Sequence, residues 1–61
     1  MYKIILKDNN TGETRSKEMG SWRDRAAEVY GSIRRRAASH ITVTLFDTYN
    51  HVVVYSERGE K

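Results

Sequence analysis

SWRDRAAEVYGSIRRRAA, residues 21–38, is the stretch of the chain whose apolar residues recur with a helical period. Steps of about 100° per residue gather Trp22, Ala26, Val29, Tyr30, Ile33 and Ala37 into one stripe, as an amphipathic helix requires. Gly20 breaks the pattern before it, Ser21 is placed to cap the first turn, and Asp24 approximates the far half of a capping box. The spacing predicts a helix from Trp22 to about Ala38. Its larger stripe residues, Trp22, Val29, Tyr30 and Ile33, should dominate the contact with the rest of the chain, at about 1.5–3 kcal/mol each when fully buried.

Both neighbours of this helix alternate with period two. On the N-terminal side Tyr2, Ile4 and Leu6 alternate with Lys3, Ile5 and Lys7, the pattern of a half-buried strand. The run from Asp8 to Gly12 concentrates turn-forming residues. A second arm over Thr14 to Met19 then offers almost nothing to a core, so it reads as a polar edge strand. On the C-terminal side Ile41, Val43 and Leu45 alternate with Thr42, Thr44 and Phe46, Asp47 to Asn50 forms a turn, and His51 to Tyr55 returns as a strand. The order is hairpin, helix, hairpin: an α+β domain of ββαββ type, with one helix packed on one face of an antiparallel four-stranded sheet. If the Thr14 arm fails to pair, the fallback is βαββ. Residues 1–56 are read as a single domain and 57–61 as a frayed C-terminal tail, because that tail lacks core residues.

A chain of 61 residues has room for one core at most, burying only about 60% of its unfolded surface. It has no cysteine to staple that core, which favours a reducing, cytoplasmic compartment over a secreted scaffold. Lys3, Lys7 and Asp8 interrupt the N-terminal stretch, so no export signal is legible, and the longest apolar run, Val52 to Tyr55, is far too short to span a membrane. The inventory for catalysis is equally thin. His40 and His51 are the only histidines; His40 is expected to cap the last helical carbonyls and His51 to be a solvated strand residue. Gly12, Gly20, Gly31 and Gly59 form no phosphate-cradling pattern. The chain is therefore read as a non-enzyme, with no catalytic, cofactor-binding or metal-binding residue assigned.

Charge is the more informative feature. Between Ser21 and His40 five arginines face only Asp24 and Glu28, so the whole formal excess of +3 lies in that segment. On the predicted helix Arg23 and Arg34 fall on one flank, Arg25 and Arg36 on the other, and Arg35 at the back near Asp24 and Glu28. Arginines near a helix C-terminus partly answer its dipole. Their planar forks also suit phosphates and carboxylates, so all five are candidate partner-binding residues. A second candidate surface is the sheet face away from the helix, carrying Lys3, Ile5, Lys7 and Phe46, with Tyr49 at the hairpin tip. Either Val53 and Tyr55 or Val52 and Val54 would join it. That face suits a homodimer or protein contact, or stacking of single-stranded RNA.

The expected function is that of a small binding protein docking on a protein or nucleoprotein complex through the arginine-flanked helix or the outer sheet face. Its small size, without an export signal or a catalytic set, fits a phage-type inhibitor or modulator of a host nucleic-acid-processing machine, acting in the host cytoplasm. The alternative is direct, largely sequence-independent nucleic-acid binding.

Overall fold

The computed structural model describes residues 1–61. Strands β1 (Tyr2–Asp8) and β2 (Thr14–Gly20) form one hairpin, helix α1 (Arg23–Arg36) follows, and β3 (Ile41–Asp47) and β4 (Val52–Arg58) form the second. The four strands make one antiparallel sheet in the order β2-β1-β3-β4. This is the ββαββ arrangement that the periodicities predict. Because β1 pairs with both β2 and β3, the helix connects two parallel strands across the central one, and it packs over the middle of the sheet.

The core follows the alternation. Ile4 of β1 and Val43 and Leu45 of β3 are fully covered by Ala26 and Tyr30 of α1, with Leu6, Val29, Ile33, Ala37 and Ile41 half-buried around them. Trp22 is the exception to the predicted stripe, with 70% of its surface exposed. Gly20 turns the chain at φ 76°, and Trp22 itself becomes the N-cap in extended geometry, accepting the N–H of Ala26. The expected Ser21–Asp24 capping box does not form, because the cap falls one residue later and receives no side-chain bond. The indole consequently lies outside the helical stripe.

Both hairpins turn on an aspartate at a strand end. The Oδ1 of Asp8 accepts the N–H groups of Asn10 and Thr11, and Gly12 follows at φ 81°. The Oδ1 of Asp47 likewise accepts the N–H groups of Tyr49 and Asn50, while its Oδ2 accepts the Asn50 amide. These bonds, the Asn50 side chain first, hold the Asp47 carboxyl below its usual range. His51, predicted as a strand residue, instead completes this turn in the left-handed region at φ 56°.

The tail departs from its expected fraying. β4 continues to Arg58, after which Gly59 donates its N–H to Ile41, Glu60 to the carbonyl of Arg34 and Lys61 to that of Ala37. The N–H of Ser39 returns a bond to the carbonyl of Lys61 at 2.6 Å. A helix leaves its last carbonyls without partners, and α1 ends without a left-handed cap, Ala37 being extended at φ −75°. Backbone donors of the tail satisfy those carbonyls, so the tail is ordered by hydrogen bonding without any core residue. Gly59 is required for this approach: a Cβ there would collide with the carbonyl oxygens of Ala37 and Ala38.

Candidate functional site

The five helix arginines have different fates. Arg34 is half-buried and committed internally: Nη2 lies 3.3 Å from Oε2 of Glu57, Nη1 lies 3.1 Å from Oε1 of Glu60, and Nε donates to the carbonyl of Arg58. On the same flank the Tyr30 hydroxyl donates to Glu57, and the Tyr30 ring stacks on Tyr55 with centroids 5.5 Å apart. Burial, reinforced by the hydrogen bond and charge of Glu57, pushes the Tyr30 hydroxyl up to about 12. This side of the helix is therefore a structural clasp onto β4 and the tail. Arg25 makes a loose, exposed pair with Glu28 at 3.9 Å, which is worth little in water. Arg23, Arg35 and Arg36 have no carboxylate within 4.0 Å.

Arg36 stands on the opposite flank, above a groove of about 500 Å³ between α1 and the β1–β2 hairpin. Leu6, Ile33, Ala37 and Ile41 line it with aliphatic surface, and Asp8, Glu13, Arg15 and Arg36 carry its charge. The hairpin register explains Arg15: it pairs with Leu6, and Lys17 pairs with Ile4, so both basic side chains of β2 share the helix face of the sheet. Neither has a carboxylate partner. Asp8, by contrast, is occupied by its turn and lies 3.8 Å from Nε2 of His40. His40 thus faces Asp8 instead of capping the helix, while its carbonyl accepts from Asn9.

On the outer sheet face Lys3, Ile5 and Lys7 stand beside Phe46, Thr44 and Thr42. The Lys3 ammonium lies 5.7 Å from the Phe46 ring centre, close enough for a cation–π contact. Thr44 and Ser56 share a hydrogen bond at 3.0 Å. A bulge in β4 changes the expected membership of this face: Val53 pairs with Phe46 and lies outside, whereas Tyr55 pairs with Leu45 and lies on the helix face, stacked on Tyr30 but still exposed. Neither of the two predicted valine and tyrosine sets is realised, because the extra residue at Val54 inverts the alternation. Tyr49 projects from the hairpin tip with 82% of its surface exposed.

Composition and helical periodicity do not point to Arg15 and Lys17. Their signal lay in the hairpin register, since a turn closing between Lys7 and Thr14 places Arg15 and Lys17 on the face of Leu6 and Ile4. No helix is long and apolar enough to cross a membrane. No protein-family model, curated protein or solved structure matches the chain.

Proposed function

We propose that the chain is a non-catalytic binding protein that docks on an anionic surface of a macromolecular partner through the flank formed by α1 and β2. One observation carries this reading: Arg15 and Arg36 lack carboxylate partners and bracket a partly apolar groove, while Arg34, their counterpart across the helix, is consumed by the fold. Exposed guanidinium groups that the fold does not use are available for planar, bidentate recognition of carboxylates or phosphates. An inhibitor or modulator of a nucleic-acid-processing machine would engage its target in this way.

Direct nucleic-acid binding is the second reading, favoured by the outer sheet face, where Lys3 lies over Phe46 beside Lys7 and a set of hydroxyl side chains. Amide chemical-shift mapping at low and moderate salt separates the two, with polyglutamate and mixed-sequence DNA and RNA as probes. The expected result is movement of signals around Arg15, Ile33, Arg36 and Ile41 on addition of polyglutamate. Movement at Lys3, Lys7 and Phe46 with nucleic acid alone, weakening steeply with salt, would replace the first reading by the second. Silence toward every anionic probe at low salt would remove both.

A further inference from the structure

We infer that the chain pairs with a second copy of itself through the free edge of β4, antiparallel and about a two-fold axis, so that two four-stranded sheets become one. This is independent of the docking reading above, whose groove lies beside the β1–β2 hairpin, toward the opposite edge of the sheet.

The backbone is the first reason. Outside its ladder with β3, the backbone of β4 makes one hydrogen bond, which the Arg58 carbonyl accepts from Nε of Arg34. A bare row of strand N–H and C=O groups is a template for another strand. β2 has an equally bare edge, and each edge strand carries one bulge, at Val54 and at Met19. Side chains separate the two. β2 presents Arg15, Lys17 and Glu18 and no large exposed apolar residue, the composition that blunts an edge. Four of the six large apolar residues exposed in the whole chain belong instead to the β3–β4 hairpin: Val52, Val53 and Tyr55 on β4, and Tyr49 at its tip.

The placement of those residues selects the occupant. Val52 and Tyr55 lie on the helix face and Val53 on the outer face. A helix or a flat surface laid against one face leaves the other uncovered, whereas a strand added in the plane of the sheet reaches both. A second β4 is complementary to the first. An axis through Val52–Tyr55 lays the apolar run of one copy along that of the other and sends the Glu57 and Arg58 of each copy to opposite ends of the seam. On this side of the molecule Arg34 and Arg58 are balanced by Glu57 and Glu60, so like charges do not oppose the approach. Pairing β4 with the β2 of another copy would set valines against Arg15 and Lys17 and leave a free edge at both ends of the assembly, which would grow into a filament. The β4–β4 arrangement closes, with a polar β2 at both outer edges.

Sedimentation equilibrium of the full chain between about 1 μM and about 1 mM should show monomer passing to dimer and to nothing larger. Over the same dilution series amide signals should move in residues 52–56 and not in β2. Val53→Lys sets an ammonium group from each copy at the seam, on a position already exposed in the monomer, and should weaken the dimer about tenfold or more. Ser16→Lys, on the outer face of β2, should leave the dimer unchanged. Monomer throughout the range, assembly growing past the dimer, or dilution shifts confined to α1 or to Lys3, Ile5 and Phe46 would each overturn the inference. So would a dimer as tight in Val53→Lys as in the parent. The dilution shifts are read on the unaltered chain, so the test stands even if a variant fails to fold.

Discussion

Tyr30 illustrates how one residue ties core, electrostatics and stability together. Its ring is 5% exposed and its hydroxyl donates to Glu57, so ionising it in the folded state leaves a buried phenolate beside a carboxylate. The folded value is raised to about 12 from 10.0. With the folded value above the unfolded one, the neutral hydroxyl's contribution is fully present below pH 10.0 and is lost as pH rises from there through about 12. Urea unfolding across that range should show stability level up to pH 10.0 and falling above it. Tyr30→Phe keeps the ring stack on Tyr55 and should flatten the alkaline decline, at the loss of about 0.5–1.5 kcal/mol near neutrality for one hydrogen bond. A decline of unchanged steepness in Tyr30→Phe would assign the alkaline sensitivity to other groups. Residues of this kind were legible from periodicity alone: Ile4, Ala26, Tyr30, Val43 and Leu45 all fall on the predicted inner faces. Trp22 was not, because a cap displaced by one residue removes it from the stripe, and periodicity carries no information about where a helix starts.

At the scale of elements, α1 has a structural flank and a free one, and two neighbouring arginines report the difference. Arg34 joins the helix to Glu57 of β4, to Glu60 of the tail and to the backbone of Arg58, whereas Arg35 is exposed at the back of the helix without an ion-pair partner. Arg34→Gln should lower unfolding stability by about 0.5–1 kcal/mol, the upper range for partly exposed ion pairs. Arg35→Gln should change it by less than about 0.5 kcal/mol. Midpoints of denaturant unfolding at unchanged slope make the comparison, and equal midpoints would mean that the clasp contributes nothing. Sequence resolves the two flanks by angle but not by role, because the partners of Arg34 lie more than twenty residues away in β4 and the tail. The groove was hidden for a related reason. A polar β2 was foreseen from its composition, yet which face Arg15 and Lys17 share depends on strand register, and one residue of slip would have sent both to the outer face.

For the molecule as a whole, the last residues close the structure. A domain this small holds a net stability of only a few kcal/mol, so an ordered tail weighs heavily. Gly59, Glu60 and Lys61 supply N–H donors to the carbonyls of Ile41, Arg34 and Ala37, tying the end of β4 to the end of α1 and the start of β3. Truncation after Arg58 strands the helix carbonyls and removes Glu60 from Arg34. At about 0.5–1.5 kcal/mol per hydrogen bond, a loss on the order of 2–4 kcal/mol is expected, enough to bring the chain close to its unfolding threshold. Gly59→Ala tests the same closure without shortening the chain. The added methyl meets the carbonyl oxygens of Ala37 and Ala38, and backbone there cannot swing aside as a flexible side chain would. The variant must release the tail or shift the helix end, with a loss of about 1–3 kcal/mol typical of overpacking. Thermal unfolding gives the size of the effect, and amide exchange at Ala37 and Ile41 locates it. If Gly59→Ala matches the parent in both measurements, the tail does not dock on the helix end, and the fraying inferred from its lack of core residues is the better description.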